Sequence, residues 1–292
     1  MPVTEKICLI TGANSGIGKA AAMELAAKFD RMLLVVRNRV RGERAVNEIF
    51  EKSGNQNLDL HVASLSSFES IRNLANTITE KYDHLDVLIN NAGAFFSKRH
   101  TTADGIEATL NINYLSRFVL TILLLPLIKK SSSGRIINVS GEAHRFGRIN
   151  FDDLMMEKYY KSMKAIKQSK LADVLFTYEL SRRLKDTHTT INCLHPGAVA
   201  TNSIDNNPDI SQLIKFLYKT IRPFLKSPEQ GAKTIIHLAT SPEVHNISGK
   251  YFINNEVTDS SASSYDENLA RRLWEVSEKL TGIKTENYLT EQ

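Results

Sequence analysis

The chain has few of the residues that mark secreted or membrane-spanning proteins. Only two of its 292 residues are cysteines, Cys8 and Cys193, and both lie within apolar runs. So few thiols exclude a disulfide scaffold and favour a reducing compartment. The longest apolar run, 118–128, has about half of the roughly 20 residues that a bilayer span needs.

Two further signals are weak or missing. The N-terminal sequence MPVTEKICLI has no signal-peptide pattern. The 37 Lys and Arg against 32 Asp and Glu leave a net charge of +5, which is too small and too evenly spread to indicate a nucleic-acid-binding protein. We therefore expect a cytoplasmic protein without a transmembrane segment or a nucleic-acid partner. Peripheral contact with a membrane stays open as an alternative.

Short β-rich runs alternate with helical stretches along most of the chain. The runs predicted as strands are 6–10, 32–36, 58–62, 86–89, 135–139, 190–194 and 249–253. The stretches predicted as helices between them are 19–29, 43–52, 67–82, 105–129 and 166–184. This alternation is typical of repeated βαβ units. It predicts a doubly wound, Rossmann-type α/β fold with a parallel sheet of about seven strands and helices on both faces.

We predict one domain over residues 1–292, with two additions to the alternating pattern. An insert at about 202–228 mixes Asn-rich coil with the apolar stretch QLIKFLYKTI, and we interpret it as a lid or substrate loop over the carboxyl edge of the sheet. An amphipathic helix at about 266–279 is expected to pack back on the domain.

A glycine-rich turn, TGANSGIG at 11–18, follows the first predicted strand and opens the first helix. A helix N-terminus offers unpaired N–H groups and a positive dipole end to a pyrophosphate, and the glycines let the ligand approach the backbone. The alternative, a connection that binds nothing, fits this placement poorly. The predicted cofactor-binding residues of this turn are Gly12, Asn14, Ser15, Gly16, Ile17 and Gly18.

The end of the second predicted strand indicates which dinucleotide is bound. An NAD-preferring site carries an acid about 20 residues beyond the glycines, but residues 35–39 here read VVRNR. Arg37 can pair with a 2′-phosphate through its planar guanidinium, and Arg39 and Arg41 add positive charge. We therefore predict NADP(H), with Arg37 and Asn38 in its site. A solvated basic helix start is the alternative for Arg39 and Arg41.

Several motifs follow one another in a recognisable order along nearly the whole chain: NNAG at 90–93, NIN at 111–113, NVS at 138–140, SKLA at 169–172, HPGAVAT at 195–201, SPEQGA at 227–232 and ARRLWEVS at 270–277. With the glycine-rich turn, they make the sequence similar to the short-chain dehydrogenase/reductase family, and within it to the retinol-dehydrogenase-like group. The resemblance implies an adenosine side lined by Asn91, Ala92 and Gly93. It also implies a nicotinamide end held by Pro196, Gly197, Val199 and Thr201.

The resemblance further implies hydride transfer between the nicotinamide and a carbonyl or alcohol carbon. In that family a tyrosine handles the proton, with a pKa lowered by a lysine four residues on. A serine polarises the substrate oxygen, and an asparagine supports a water relay. Asn113 and Lys170 match the asparagine and the lysine, and Lys170 also belongs to the cofactor site. The tyrosine position is Ile166, however, and the serine position is Gly141.

Two other residues are candidates for the missing groups. Tyr160 and Lys164 also satisfy Tyr-x-x-x-Lys, but on a continuous helix Tyr160 would lie about 9 Å along the axis and roughly 240° around it from position 166. Ser140 is expected to point away from the pocket, so a structural hydroxyl is the favoured interpretation. Ser64 replaces the acid that contacts adenine in the family, which is a smaller departure.

These residues predict an NADP(H)-binding protein with lost or strongly reduced oxidoreductase activity that senses cofactor or binds a partner. One alternative is an active NADP(H)-dependent carbonyl reductase or alcohol dehydrogenase on a lipophilic substrate such as a retinoid or steroid. Another is a scaffold that binds no nucleotide. A homo-oligomer built on 105–129 and 166–184 is what the resemblance implies. His144 and His195 have no partner at metal-ligand spacing, so no metal site is predicted.

Overall fold

The computed structural model describes residues 5–200, 218–220, 222 and 225–289. Thr201 and most of the lid predicted at 202–228 lie outside the described residues. The strands of the described part are β1 (Ile7–Thr11), β2 (Arg31–Val36), β3 (Leu58–Val62), β4 (Val87–Asn90), β5 (Arg135–Val139), β6 (Thr190–His195), β7 (Tyr251–Ile253) and β8 (Glu256–Val257).

The strands form one sheet in the order β3-β2-β1-β4-β5-β6-β7-β8, and every neighbouring pair except β7 and β8 is parallel. The prediction of a doubly wound sheet is confirmed. The chain order reverses between β1 and β4, and ligands of open α/β sheets bind at the carboxyl ends of strands beside such a switch point. The glycine-rich turn after β1 and the NNAG segment after β4 therefore meet at one place.

The sheet has eight strands where the sequence predicted about seven. The additional strand is β8, a two-residue strand at the edge of the sheet. Asn254 and Asn255 have φ values of 52° and 71°, the left-handed pair that a tight two-residue hairpin requires. They turn the chain so that β8 pairs antiparallel with β7. The Asn-Asn pair was the available sequence signal for this hairpin.

The helices of the described part are α1 (Gly16–Leu25), α2 (Arg39–Ser53), α3 (Phe68–Lys81), α4 (Ala108–Lys129), α5 (Ser162–Arg183), α6 (Pro228–Thr240), α7 (Glu267–Thr281) and α8 (Glu286–Leu289). Helix α1 begins three residues earlier than the predicted 19–29, so Gly16 and Gly18 lie in its first turn. Helix α5 likewise begins at Ser162 rather than 166, which places Ile166 within its second turn.

Helices cover both faces of the sheet. Strand side chains alternate between the faces, so Leu9 of β1 joins the core shared with α3, α4, α5 and α7, whereas Cys8 and Ile10 join the core shared with α1, α2 and α6. All five residues of β1 are buried. Burial on both faces explains why the central strands read as continuous apolar runs.

The long helix α4 is a core element. By length and composition it is the one helix of the described residues that could cross a membrane, but 83 % of its most apolar stretch is buried inside the fold. Trp274 of α7 lies edge-on to Phe118 of α4 and stacked on Phe176 of α5, with ring centroids 5.1 and 5.8 Å away. The two helices to which the resemblance assigned an oligomer interface are therefore packed against the C-terminal helix of the same chain.

Candidate functional site

The glycine-rich turn folds tightly against the end of β4. Gly12 has φ 72°, and a Cβ on it would lie 3.0 Å from Asn91 Nδ2. A Cβ on Gly18 would collide with the Gly12 carbonyl and the Asn91 amide. Only glycine fits at these two positions, because the backbone of one segment occupies the place of the other's side chain.

The N-terminus of α1 is open to an anion. Its N-cap residue, Ser15, is exposed and makes no side-chain capping bond, and the first turn of the helix holds no acidic residue. Uncapped N–H groups at the positive end of a helix dipole favour a phosphate. Asn14 and Ile17 border this turn and are partly exposed.

Arg37 and Asn38 follow β2 and differ in what they do. The Asn38 side chain accepts a hydrogen bond from the Arg41 backbone N–H at 3.0 Å and caps α2. The exposed guanidinium of Arg37 makes no ion pair within the described part of the chain, whereas Arg39 lies 3.9 Å from Glu43. No carboxylate stands at the end of β2 to contact ribose hydroxyls.

The NNAG segment joins the turn after β1 to Asn113 on α4. Asn91 Nδ2 donates to the Thr11 carbonyl at 2.9 Å, and the Ala92 N–H donates to Thr11 Oγ1 at 3.0 Å. A Cβ on Gly93 would lie 3.1 Å from Asn113 Oδ1. Asn91 and Ala92 therefore lie directly against the glycine-rich turn, and Gly93 lies beside Asn113.

Asn113 lies on a π-helical turn, Asn111–Leu115, within α4. Its Oδ1 accepts from the Ala94 N–H at 2.8 Å, and its Nδ2 donates to the Ala94 carbonyl at 2.9 Å and to Ser169 Oγ at 3.4 Å. The Asn113 side-chain amide therefore holds the loop after β4 and contacts α5. Single π turns in α-helices often mark functional sites.

Lys170 is the titratable group at the centre of this region. Its Nζ donates to the Val139 carbonyl at the end of β5, at 3.1 Å. Desolvation by burial, together with the nearby positive charge of Arg117, lowers the pKa of Lys170 to about 7, although the negative charge of Asp173 opposes the shift. The amine therefore loses its proton far more readily than an exposed lysine does.

Gly141 leaves open space beside Lys170. A Cβ built there would lie 3.8 Å from Lys170 Cε and 4.0 Å from His195 Nδ1, which are ordinary contact distances. The φ of Gly141 is 170°, an extended conformation that any residue adopts. A serine side chain would thus point toward Lys170 without strain, and glycine supplies no hydroxyl there.

The neighbouring Ser140 hydroxyl does not take that place. Ser140 Oγ donates to the Lys170 backbone carbonyl at 3.3 Å. This bond ties the end of β5 to α5, in agreement with a structural role.

Ile166 lies one helical turn before Lys170 on α5 and is partly exposed. Tyr160 precedes the helix, and its hydroxyl donates to the Phe96 carbonyl at 2.9 Å and lies 3.3 Å from Thr109 Oγ1. The phenol is thus held at the loop after β4 and makes no hydrogen bond to Lys170, whose amine bonds Val139 instead.

The residues predicted for the nicotinamide end follow β6. Gly197 has φ 93°, and a Cβ on it would collide with the Lys226 side chain. Val199 pairs with Lys226 in a short bridge, and its side chain is so close to α6 that a Cβ on Gly231 would lie 2.6 Å from it. Pro196 directly follows β6 and is partly exposed. Thr201 lies outside the described residues.

A buried ion pair beneath the site was not predicted from the sequence. Arg117 Nη1 donates to Asp173 Oδ2 at 2.6 Å and to the Val139 carbonyl at 3.0 Å, and Nη2 donates to the Ala92 carbonyl at 2.9 Å. The pair links α4 and α5 to the ends of β4 and β5. Its sequence signal was weak: Arg117 is the one charge in the apolar run 112–128, whereas Asp173 lies in a helical stretch with several other charges.

His195, for which no metal site was predicted, borders the open space beside Gly141 and Lys170. Its Nδ1 is buried without a hydrogen-bond partner in the described residues. Desolvation lowers the pKa of His195 below its usual range, so that the ring is neutral at neutral pH. Of the described residues, no three His, Cys, Asp or Glu side chains are grouped so that they could hold a metal ion.

A family model described as short chain dehydrogenase matches residues 6–210. The chain belongs to the short-chain dehydrogenase family. It is 40 % identical over 292 residues to human retinol dehydrogenase 14, covering 95 % of this chain and 87 % of that protein. It is also 41 % identical over 278 residues to human retinol dehydrogenase 11, covering 95 % of this chain and 86 % of the relative.

Two solved structures share most of this architecture. An uncharacterised protein of Mycobacterium paratuberculosis superposes with a TM-score of 0.76 at 29 % identity, covering 96 % of this chain and 94 % of that one. Pseudomonas aeruginosa RhlG, solved in a complex with NADP, gives a TM-score of 0.66 at 25 % identity over 86 % of this chain and 94 % of RhlG.

Proposed function

We propose that this member of the short-chain dehydrogenase family binds NADP(H) and has lost, or has kept only a small part of, oxidoreductase activity. The observation that carries the proposal is the combination of a complete phosphate-binding turn with Gly141 and Ile166 beside Lys170. The phosphate-binding turn serves the cofactor. Gly141 and Ile166 lack the hydroxyl groups that would contact a substrate oxygen.

The described residues fit the cofactor. The uncapped N-terminus of α1 and the glycines that no side chain could replace suit a pyrophosphate. Arg37, exposed and without an ion pair in the described part of the chain, suits a 2′-phosphate. Asn91, Ala92 and Gly93 would line the adenosine side, and Pro196, Gly197, Val199 and Thr201 the nicotinamide end. When bound, NADP(H) supplies a hydride donor or acceptor.

Proton transfer is the step that this chain supports poorly. A positioned acid or base contributes about 10² to 10⁴ in rate, and isoleucine at 166 can neither donate nor accept a proton. Gly141 offers no hydroxyl to polarise a carbonyl. The Tyr160 phenol is engaged with Phe96 and Thr109 instead. Lys170 can hold a proton near neutral pH, but among the described residues its amine bonds the Val139 carbonyl and no phenol.

A second candidate function is favoured by one observation, the free Nδ1 of His195 beside Lys170. A neutral imidazole and an amine with a pKa of about 7 face one space, and a pKa near the working pH suits general acid–base catalysis. With the retinol dehydrogenases among its relatives, the chain would then reduce or oxidise a lipophilic carbonyl or alcohol such as a retinoid or steroid.

Turnover separates the two functions. Purified protein is incubated with NADPH and retinoid, steroid and small carbonyl substrates, and cofactor oxidation is followed by absorbance. The first proposal expects turnover at most about a thousandth of that of an active relative, the cost of one missing acid–base group. Activity that is lost in Lys170→Met and unchanged in Tyr160→Phe would support the second.

Cofactor preference is tested at Arg37. Arg37→Ala should raise the Kd for NADPH roughly 10- to 100-fold, because a hydrogen bond to a charged group is worth about 1.5–3 kcal/mol. NADH, which has no 2′-phosphate, should bind unchanged. NADPH fluorescence measures both. Arg44→Ala, an exposed arginine further along α2, is the matched control. No NADPH binding below millimolar concentration in the parent chain would remove the proposal altogether.

Three further expectations accompany this function. We propose one domain over 1–292, a lipophilic small-molecule ligand at the Lys170 side of the site, and a location in the cytoplasm. The ligand is supported by the retinol dehydrogenases to which the chain is similar.

A further inference from the structure

The strongest unassigned feature is a group of exposed apolar side chains at the beginning of α5. Phe146 and Tyr159 are the two most exposed of the large apolar side chains in the described part of the chain, at 73 % and 64 %, and Met163 is 54 % exposed. Exposed apolar side chains that cluster mark sites of interaction, whereas scattered single ones need no explanation.

Contacts place Phe146 beside the first turns of α5, and Tyr159 lies just before that helix. Lys167 Nζ lies 5.4 Å from the centre of the Phe146 ring, and Met163 is one helical turn before Lys167 on α5. Lys161 Nζ lies 5.0 Å from the centre of the Tyr159 ring. The short 3₁₀ turn that carries Phe146 packs along α5.

The chain segment that carries Tyr159 and Met163 is strongly positive. Residues 158–167 contain four lysines and no acidic residue, and Lys158, Lys161 and Lys164 are exposed. The acid that precedes them, Glu157, lies 3.7 Å from Arg99. We call Phe146, Tyr159, Met163, Lys158, Lys161 and Lys164 the aromatic–basic patch.

We propose that the aromatic–basic patch docks this protein on an anionic lipid bilayer. Aromatic and methionine side chains insert at the boundary between headgroups and acyl chains, while lysines around them pair with lipid phosphates and carboxylates. Stable attachment to a bilayer needs both the apolar side chains and the lysines, because a single weak anchor binds a membrane only reversibly. The charge of the patch favours a negatively charged surface over a neutral one.

The position of the patch gives the docking a consequence for the site. Helix α5 carries Met163 at its beginning, then Ile166, and then Lys170 one turn further on. A bilayer that covers the patch therefore lies at the end of the helix that borders the proposed ligand space. A lipophilic ligand could pass between the bilayer and that space. The docking itself does not depend on cofactor binding or on catalysis.

Vesicle co-sedimentation with the full chain tests the proposal. The probes are phosphatidylcholine vesicles with and without about a third of phosphatidylserine. We expect binding to the mixed vesicles and weak or no binding to pure phosphatidylcholine. Replacing Lys158, Lys161 and Lys164 by alanine should weaken binding to mixed vesicles about 100-fold, since each basic residue near such a surface contributes roughly a factor of five.

The apolar part is tested by Phe146→Ser with Tyr159→Ser and Met163→Ser, which should weaken binding at least tenfold, since burial of these side chains drives insertion. Matched controls alter exposed residues elsewhere: Val40→Ser with Phe50→Ser, and Lys233, Lys250 and Lys284 to alanine. The controls should bind like the parent. All variants should keep the parent's melting temperature and NADPH affinity, which separates loss of docking from loss of fold or cofactor site.

Three results would overturn the docking. The first is no binding of the parent chain to the anionic vesicles. The second is equal loss in the patch and control variants, because the patch would then hold no special role. The third is a dimer in solution that the serine variant dissociates, because the patch would then be covered by a second copy of the chain.

Discussion

At the scale of the residue, the function turns on what stands beside Lys170. Position 141 has room for a side chain that would point at Lys170 Cε, 3.8 Å away, and an extended backbone that accepts one. Position 166 lies one turn earlier on α5. Under the proposed function, these are the two positions at which Gly141 and Ile166 replace the serine and the tyrosine that the resemblance implies.

Restoring these groups should restore turnover. Gly141→Ser with Ile166→Tyr should raise NADPH oxidation with at least one carbonyl substrate by about 10²-fold or more, the contribution of one positioned acid–base group. The rate is measured by absorbance on the same substrate panel, with Tyr160→Phe as a control that should change nothing. A parent chain that is already active and gains nothing would falsify the proposal of lost activity.

The low pKa of Lys170 should also appear in the stability of the fold. From about pH 7 up to the usual lysine pKa of about 10.4, the unfolded chain keeps a proton that the folded chain has released. The free energy of unfolding should therefore rise with pH across this window, by at most about 1.4 kcal/mol per pH unit. Lys170→Met lacks this contribution.

Urea unfolding of both proteins at about pH 7, 8 and 9 measures the difference between them. Other titrating groups are common to the two chains and cancel. The parent should gain stability relative to Lys170→Met as the pH rises. A difference that is constant across the window would mean that Lys170 keeps an ordinary pKa.

At the scale of the element, the Arg117–Asp173 pair holds four elements in register. Arg117 on α4 reaches Asp173 on α5 and the carbonyls that end β5 and follow β4. The Val139 carbonyl accepts from both Arg117 and Lys170. The pair therefore fixes the floor of the site and supplies the nearby positive charge that helps to lower the pKa of Lys170.

Breaking this pair should be costly. Asp173→Asn leaves the Arg117 guanidinium buried without a counter-charge, which costs about 3–5 kcal/mol of unfolding free energy. Breaking the exposed Lys52–Glu24 pair with Lys52→Met should cost far less, because water and salt screen an exposed pair. Urea unfolding measures both, and similar costs for the two variants would show that the buried pair is not structurally important.

At the scale of the whole molecule, the C-terminal helix decides which surfaces are free. Trp274 packs on Phe118 and Phe176, and Lys129 at the end of α4 donates to the Leu289 carbonyl in α8 at 3.1 Å. Parts of α4 and α5, the helices on which the resemblance implied a homo-oligomer, are covered by the chain's own C-terminal helices. We therefore expect any homo-oligomer to use another surface.

Sedimentation velocity at micromolar concentration should therefore show a species of one chain's mass. Trp274→Ala, which removes a large side chain from this contact, should cost about 3–5 kcal/mol of unfolding free energy. A parent dimer that survives dilution would contradict the prediction. A Trp274→Ala variant as stable as the parent would show that α7 does not hold these faces.

Much of the fold could be predicted from the sequence because its signals are local. Apolar runs bounded by turns placed β3 and β5 at their observed limits, and the glycine-rich turn between β1 and α1 indicated the binding edge. The two-residue β8 was missed because a strand so short has no periodicity of its own; it exists only because the Asn254–Asn255 turn returns the chain to β7.

The sequence by itself determined that Ile166 stands four residues before Lys170 and that Gly141 follows the NVS segment, the positions at which the resemblance implies a tyrosine and a serine. Only the tertiary structure decided what fills the surroundings: a tyrosine bonded to Phe96 rather than to Lys170, an imidazole nitrogen turned toward Gly141, and an ion pair between two helices. These depend on contacts between residues tens of positions apart. Local sequence patterns do not indicate such contacts, because the packing of the folded chain fixes them.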